Sequence, residues 1–382
     1  MRGNWNYPTT IRFGAGRISE LAEGCSSLGM SRPLLITDAG LSGLPIVRDA
    51  LAANTAAGMP TGLFSEVQGN PVGANVDAGV AAYKAGGHDG VIAFGGGSAL
   101  DVGKAVALML GQDRPLWDFE DIGDNYTRVN ITGIAPVVAV PTTAGTGSEV
   151  GRASVITDES DHTKKIIFHP SMLPALVIAD PALTVGLPPH LTAWTGIDAL
   201  SHCLEAFCAP GFHPQADGIA VEGIRLIRLA LERAVVDGSD IEARSMMMAA
   251  SSMGATAFQK GLGAMHALSH PVGALLNAHH GLTNAVFMPY VLAFNKSAIE
   301  DRIGDLARYI GLEKQSFEGF LEWVLLLRER LSIPHTSDNL GVTEALVDDL
   351  GRRAAADPSA GGNPIPVDVE ALSGLYRQSL LG

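Results

Sequence analysis

The chain has 382 residues, of which 47% are apolar and 17% are charged, and its net charge is −14. A chain of this length can form two domains that each bury a core, and the composition is not that of a disordered protein. The acidic balance argues against nucleic acid and anionic membrane surfaces as partners, because both attract basic protein faces.

The N-terminal segment shows no sign of secretion. Its sequence, MRGNWNYPTTIRFGAGRI, has no apolar stretch behind a basic start, so we expect no signal peptide. The nearest candidate for a membrane-spanning helix, residues 261–290, is interrupted by Pro271, four histidines and two asparagines. The three cysteines are too few for a disulfide framework, and we expect a reducing, cytoplasmic location.

Short apolar runs alternate with helical patterns in the first half of the chain. The pattern predicts, in order, a strand at 32–40, a helix at 75–87, a strand at 89–98, a helix at 99–110 and a strand at 134–149. Nearly continuous apolar strands that alternate with helices predict a parallel sheet covered on both faces.

Long helical patterns replace this alternation from about Leu187. They run over residues 188–209, 216–238, 241–260 and 316–332. Turn residues in 181–188 indicate a domain change there. We therefore predict an α/β domain over residues 1–184 and an all-helical domain over residues 185–382.

Three successive glycines, Gly95 to Gly97, follow an apolar strand and precede a helix. In that context bare backbone can approach a pyrophosphate, and the helix N-terminus offers free N–H groups. Ser98 is the expected N-cap, and Asp101 falls in the first turn, where a carboxylate is favourable. The spacing is not that of the dinucleotide fingerprint, so a turn without a ligand is the alternative interpretation.

Two further segments end predicted strands with polar groups. Asp38 follows LLIT, at the position where a doubly wound sheet holds the ribose hydroxyls of a dinucleotide. Its charge would repel a 2′-phosphate and favour NAD over NADP, although a turn-forming aspartate is the simpler interpretation. Residues 141–149, PTTAGTGSE, could line the nicotinamide half of a cofactor site or form an ordinary polar loop.

Histidines concentrate in a part of the second half that has almost no other charge. Asp198 and His202 are four residues apart in a helical pattern, and His266 and His270 repeat that spacing, which places each pair on one helix face. His280 follows beyond a helix break that we expect at Pro271. A carboxylate and three imidazoles suit a divalent ion such as Fe(II) or Zn(II).

The histidines outnumber what such a site needs beside one aspartate. Apolar surroundings keep imidazoles neutral, which is the form that binds metal. Two adjacent residues, His279 and His280, cannot both point the same way, and at least one histidine has another role. For any single histidine, a satisfied position in the core is the alternative interpretation.

Taken together, these motifs resemble the iron-containing (group III) alcohol dehydrogenases. The matching segments fall in the family's order: FGAGR (13–17), GGGSALDVGKA (95–105), PTTAGTGSEV (141–150), VITD (155–158), DPAL (180–183), TGIDALSHCLEAF (195–207), GAMHALSHPVGA (263–274) and HHGLTNAVFMPYVLAFN (279–295). They cover most of residues 7–295, and we expect only a general helical likeness beyond them. GGNPIP (361–366) is similar to a loop of the family, with Ile365 where a basic residue is often found.

The resemblance implies a role for each matching position. It makes Asp198, His202, His266 and His280 the metal ligands, usually of Fe(II) and sometimes of Zn(II), and it makes His270 a proton relay near the nicotinamide. It leaves His279 as the spare imidazole. The positions that match dinucleotide contacts are Asp38, Asn70, Gly96, Gly97, Ser98, Asp101, Thr142, Thr143, Lys164 and Leu183.

The implied fold is a Rossmann-like N-terminal domain followed by a helical C-terminal domain, as in dehydroquinate synthase and the iron-containing dehydrogenases. The implied activity is NAD-linked hydride transfer between nicotinamide C4 and a small alcohol or aldehyde whose oxygen the metal polarises. A homodimer or higher homo-oligomer is expected.

Alternative functions are weaker. A lyase of the dehydroquinate synthase type handles a phosphorylated, carboxylated substrate and needs several basic residues near the metal, whereas Lys260 is the only one in residues 254–289. A metallohydrolase would want a nearby carboxylate base, which this segment lacks. A glycerol or diol dehydrogenase of the same superfamily and a non-catalytic metal-binding protein stay open. Arg152 could meet a substrate carboxylate or form a structural salt bridge.

Overall fold

The structure is a computed structural model that describes residues 9–382. The start of the segment examined for a signal peptide, residues 1–8, lies outside the described residues. The described chain forms two compact units that divide between Gly186 and Leu187, and the predicted boundary lies between residues 184 and 185.

A parallel sheet of six strands forms the centre of the N-terminal unit. The strands, numbered in chain order with the hairpin strands β6 and β7 given below, are β1 (Thr10–Phe13), β2 (Leu34–Asp38), β3 (Gly62–Val67), β4 (Val91–Gly95), β5 (Val137–Pro141) and β8 (Leu176–Ala179). Their order across the sheet is β1-β8-β5-β4-β2-β3. All residues of β4, β5 and β8 are buried, which explains why two of these strands read as continuous apolar runs.

Helices and turns connect the strands of this unit. The α-helices are α1 (Leu21–Ser27), α2 (Ala39–Ser42), α3 (Pro45–Ala56), α4 (Gly73–Gly86) and α5 (Gly97–Met109). Short 3-10 helices occupy Arg17–Glu20, Leu116–Phe119, Asn125–Arg128, Ile131–Gly133, Ser148–Val150, Pro170–Met172 and Pro181–Thr184. The remaining strands, β6 (Ala153–Asp158) and β7 (Thr163–Phe168), form an antiparallel hairpin that the sequence analysis did not predict.

The order in which the chain adds strands to the sheet reverses between β2 and β4. From β2 the chain passes to β3 on one side, and from β4 it passes to β5 on the other side. In open parallel sheets, ligands bind beyond the carboxyl ends of the strands at such a switch point. Helix α5 packs tightly here, since a Cβ on Gly103 would lie 2.6 Å from Cβ of Ala93.

Among the described residues, the C-terminal unit consists of helices joined by turns. The α-helices are α6 (Pro189–Cys208), α7 (Pro214–Val236), α8 (Ile241–Ala257), α9 (Ala264–Leu276), α10 (His280–Tyr309), α11 (Phe317–Arg330), α12 (Glu344–Ala356) and α13 (Val369–Leu381). Phe258–Lys260, Ser337–Leu340 and Pro358–Gly362 are 3-10 helices. The predicted fold class, a Rossmann-type parallel sheet with a helical C-terminal domain, is confirmed.

Three local predictions were wrong. Asp101 does not fall in the first turn of α5, which holds no acidic residue, because the helix begins at Gly97. Pro271 does not end its helix, because α9 continues to Leu276 and ends at Asn277, which adopts a left-handed conformation with φ 53°. The hydroxyl of Tyr376 donates a hydrogen bond to the Leu268 carbonyl, one turn before the proline. Ser98 is not the N-cap of α5, because the cap is Gly96 and the Ser98 hydroxyl donates to the Gly69 carbonyl at 2.6 Å.

Within residues 9–382, the helices are all too short or too polar to cross a membrane.

Candidate metal centre and glycine turn

Helix α6 positions two of the four predicted metal ligands. Asp198 and His202 are one turn apart on the same helix face, and both are buried. Helix α10 approaches this face closely. A Cβ on Gly281 would lie 2.3 Å from the carbonyl oxygen of Trp194, so the residue after His280 has no room for a side chain.

The other two predicted ligands come from α9 and α10. His266 lies in the first turn of α9 and is 1% exposed, whereas His280 begins α10 and its side chain is 24% exposed. The His266 ring packs against the rings of His202 and His280, with centroid separations of 4.7 and 5.2 Å.

Three helices therefore bring four potential donor groups together. One ligand atom from each of Asp198, His202, His266 and His280 lies within 4.8 Å of the others, and Asp198 Oδ1 is 3.5 Å from His280 Nε2. Ligand atoms around a transition-metal ion lie about 3–4 Å apart, since each bond is about 2.1 Å long. Both the donor chemistry and the spacing fit a divalent transition-metal ion.

An asparagine that the sequence analysis did not single out reaches this cluster. The Asn284 side chain is fully buried, and its Nδ2 donates to Asp198 Oδ1 at 2.9 Å. The same nitrogen lies 3.3 Å from His266 Nε2 and 3.2 Å from His280 Nε2. Its contacts show that these three ligand atoms converge on one point.

A buried glutamate holds the far side of the His266 ring. Glu205 Oε2 lies 2.6 Å from His266 Nδ1, and Oε1 accepts a hydrogen bond from the Met265 backbone N–H at 2.6 Å. Burial by itself would lower the pKa of His266, but the carboxylates of Glu205, Asp198 and Asp357, with Glu205 foremost, together outweigh burial, and the net shift of that pKa is upward.

His270 lies beside the cluster and has a different partner. Its Nδ1 is 2.8 Å from Asp357 Oδ2, and its ring stacks on His280 with centroids 5.3 Å apart. Burial tends to raise the pKa of Asp357, but His270 and the Ser359 backbone N–H hold this pKa below its ordinary value. The ring of His279, the residue before His280, packs against the Trp194 ring, with centroids 5.0 Å apart.

The glycine turn of the N-terminal unit lies at the switch point of the sheet. Gly95 has a φ of 147°, which favours glycine, and a Cβ there would lie 3.7 Å from Asp38 Oδ2. A Cβ on Gly97 would lie 2.5 Å from Thr146 Oγ1, and one on Gly96 would lie 3.3 Å from the Thr143 side chain. The turn therefore presents bare backbone between Asp38 and the threonine loop.

Asp38 has a structural role as well. It is the N-cap of α2, and its Oδ1 accepts a hydrogen bond from the Leu41 backbone N–H at 3.0 Å. The turn-forming interpretation of Asp38 is therefore confirmed. Ribose binding stays a prediction, and the second carboxylate oxygen lies on the Gly95 side, 3.7 Å from where a Cβ on that glycine would lie.

The Asp101 carboxylate faces protein donors. It accepts hydrogen bonds from the Ser148 hydroxyl at 2.5 Å and the Val155 backbone N–H at 3.0 Å, and it lies 3.2 Å from Lys104 Nζ. Lys104 is buried and also donates to the carbonyls of Ser148 and Ala153. Burial lowers the pKa of Lys104 against the opposing attraction of Asp101.

The remaining predicted cofactor positions are spread around the same unit. Thr142 is buried, and its backbone N–H donates to the Gly95 carbonyl at 2.9 Å, which joins the threonine loop to the glycine turn. Asn70 follows Gly69, the acceptor of the Ser98 hydroxyl. Lys164 lies on β7, which belongs to the two-stranded hairpin and not to the six-stranded sheet, and Leu183 packs in the hydrophobic core.

Sequence reasoning missed three residues of the metal centre. Glu205 follows His202 by three positions and Asn284 follows His280 by four, so the spacing rule that paired the histidines could have found both. Asp357 lies 87 residues from His270 and carries no local signal.

Two models of one protein family match this chain. The model of the iron-containing alcohol dehydrogenases matches residues 8–181, and the C-terminal model of the Fe-containing alcohol dehydrogenase family matches residues 192–380. The resemblance that we expected to weaken beyond residue 295 therefore extends to residue 380.

Individual relatives agree over the whole chain. The 4-hydroxybutyrate dehydrogenase of Cupriavidus necator is 40% identical and covers 98% of both chains. The NAD-dependent methanol dehydrogenase of Bacillus methanolicus is 33% identical over 99% of this chain and 100% of its own. A crystal structure of 1,3-propanediol oxidoreductase superposes with a TM-score of 0.94 at 33% identity and covers 100% of both chains. The chain belongs to the iron-containing alcohol dehydrogenase family and is a metal-dependent oxidoreductase that acts on alcohols.

Proposed function

We propose that this enzyme interconverts a small primary alcohol and its aldehyde with NAD as the hydride carrier and Fe(II) as the preferred metal. The observation that carries the proposal is the convergence of one carboxylate and three imidazoles from three buried helices. The lyase alternative is not favoured, since the comparisons match dehydrogenases and Lys260 is engaged by Asp217 and the Phe207 carbonyl.

Asp198, His202, His266 and His280 would hold the metal. A divalent ion bound by these residues supplies Lewis acidity toward a substrate oxygen, and NAD supplies the hydride acceptor. Asp198, His202 and His266 are buried, so water would compete little for these three side chains. Metal binding requires neutral imidazoles, so a bound ion would displace any extra proton from the rings.

His270 is the proposed proton carrier. An ionised Asp357 can only accept a hydrogen bond, so its contact with Nδ1 places the proton of neutral His270 there. Nε2 is then free to accept a proton as the alcohol is oxidised and to return it in the reverse direction. Stacking on the His280 ring fixes the plane in which Nε2 lies.

The glycine turn and its neighbours are the proposed dinucleotide site. The backbone of Gly96 and Gly97 would meet the pyrophosphate at the N-terminus of α5. Asp38 would accept hydrogen bonds from the adenosine ribose and disfavour a 2′-phosphate. Asp101 would act indirectly, because its carboxylate orders the segment from Ser148 to Val155.

The other proposed contacts continue around this turn. Thr142 and Thr143 would face the nicotinamide half of the cofactor, and Ser98, Asn70, Lys164 and Leu183 complete the set that the family resemblance implies. Isothermal titration of NAD into variants of these positions would rank their contributions, and Asn70 and Lys164 are the most informative because both lie outside the turn itself.

The substrate class is tested with the alcohols that relatives are named for. The panel comprises 4-hydroxybutyrate, methanol, 1,3-propanediol and choline, with their aldehydes, assayed by NADH absorbance on the Fe(II)-loaded enzyme. We expect stoichiometric NADH formation with at least one member. The proposal fails if neither these nor other simple alcohols support turnover while metal and NAD are both bound.

We also propose a cytoplasmic homodimer or larger homo-oligomer. The cytoplasmic location is supported by the three cysteines, which form no disulfide. Burial raises the pKa of each thiol to about 12, so these thiols are chemically inert. Light scattering on the purified chain would give the number of subunits.

A further inference from the structure

We propose that Glu205 is a positioning residue of the metal centre, which fixes the ring orientation and tautomer of His266 so that its Nε2 faces the ion. This inference rests on the proposed function, because it assumes that His266 is a metal ligand. Glu205 lies on α6, three residues after His202, and so shares a helix face with the ligands that α6 supplies.

The two carboxylate oxygens of Glu205 contact two consecutive residues of α9. One oxygen accepts the Met265 backbone N–H at 2.6 Å, and the other lies 2.6 Å from His266 Nδ1. Glu205 is 5% exposed and His266 is 1% exposed, so water does not compete for either contact. The carboxylate therefore fixes the helix backbone and the imidazole ring together.

The chemistry of the pair determines where the lone pair of the ring points. An ionised carboxylate can only accept, so the proton of neutral His266 must lie on Nδ1 and the lone pair on Nε2. Nε2 lies 3.3 Å from Asn284 Nδ2, the same atom that contacts Asp198 and His280. A hydrogen-bonded carboxylate also makes an imidazole a stronger donor toward a metal.

The same helix end offers a matched control. Asn363 Oδ1 accepts a hydrogen bond from the Ala264 backbone N–H at 3.2 Å, one residue before Met265. The Asn363 side chain also bonds to the Asn295 side chain and the Ile365 carbonyl. Asn363→Ala thus removes a cap from α9 and leaves the contact between Glu205 and His266 in place. This variant measures what loss of a cap alone does.

The test is Zn(II) and Co(II) titration of metal-stripped, full-length protein for wild type, Glu205→Gln and Asn363→Ala, with melting temperature measured on each metal-free form. A glutamine cannot accept from both donors, because its amide NH₂ would face one of them. We expect Glu205→Gln to bind Zn(II) about 10–100-fold more weakly. We also expect its Co(II) absorption spectrum to change, while Asn363→Ala lowers only the melting temperature.

Two outcomes separate this inference from the proposed function. Wild-type affinity and Co(II) spectrum in Glu205→Gln would overturn the positioning role and leave the metal centre intact. Failure of wild-type protein to bind metal, or unchanged binding in His266→Ala, would overturn the metal centre itself.

A measurement without substitution covers the case in which Glu205→Gln does not fold. In Zn(II)-loaded wild type labelled with ¹⁵N-histidine, NMR should show His266 protonated at Nδ1 and bound to metal through Nε2. A metal bond at Nδ1 would overturn the inference.

Discussion

His270→Ala separates proton transfer from metal binding. The imidazole is a proposed proton carrier and not a ligand, so the variant should keep its metal. We expect turnover to fall by about 10²–10⁴-fold, the range for loss of a general acid–base group, which corresponds to about 2.7–5.4 kcal/mol of activation free energy. Steady-state NADH formation is compared with metal content measured on the same sample.

The structure also gives the stability cost of this change. Without His270, Asp357 Oδ2 loses the donor at 2.8 Å, and Oδ1 keeps its bond from the Ser359 backbone N–H. A buried acceptor left without a partner costs about 1–3 kcal/mol. For a unit the size of Leu187–Gly382, this is a decrease of roughly 2–12 °C in melting temperature.

His270→Asn is the matched control. Its amide N–H can donate to Asp357 in place of Nδ1–H, but asparagine cannot carry a proton near neutral pH. We expect the melting temperature to recover and turnover to stay low. If turnover recovers together with the melting temperature, His270 is a packing residue and the proton-transfer role is refuted.

Other changes test the remaining parts of the proposal. Chelation should abolish activity and added Fe(II) should restore it; full activity in demonstrably metal-free protein would contradict the proposed centre. Wild type should prefer NAD over NADP by at least about tenfold, or 1.4 kcal/mol, and Asp38→Gly should narrow that preference; equal kcat/KM with both cofactors in wild type would contradict the role of Asp38. Gly97→Ala places a Cβ 2.5 Å from Thr146 Oγ1, so KM for NAD should rise, and Thr146→Gly in the same chain should reverse part of the loss. The pKa of Asp158 is lowered to about 2, mainly by a hydrogen bond from Lys165. The ionised carboxylate therefore stabilises the fold at pH values above the pKa of an unfolded aspartate, and this stabilisation is lost as the pH falls through about 2. Lys165→Met should move the loss to higher pH in acid-unfolding curves.

Local apolar patterns predicted the strands β2, β4 and β5 and the helices α4 to α8 and α11, because burial dominates there. They missed β8, which is buried but only four residues long. β2, β4 and β5 and the long helices α6 to α8 have buried faces that leave a clear period in the sequence. β1 and β3 lie at the sheet edges and are only partly buried, so their patterns are weak.

Long-range contacts explain what the sequence could not predict. Pro271 signalled a helix end, but α9 is buried around it and continues for another turn. The donors that face Asp101 lie 47 and 54 residues further along the chain, and Asp357 is 87 residues from His270. Helical spacing related residues within a turn and gave no information on these pairs.

The ligands of the proposed metal centre all belong to the C-terminal unit, and this has a thermodynamic consequence. An ion that bridges α6, α9 and α10 acts as a reversible cross-link, and at 1,000 times its Kd it adds about 4.1 kcal/mol to the stability of the folded form. The helices that this cross-link would join all lie within Leu187–Gly382. Metal depletion should therefore lower the melting temperature, and scanning calorimetry of the metal-free and metal-loaded protein measures the difference.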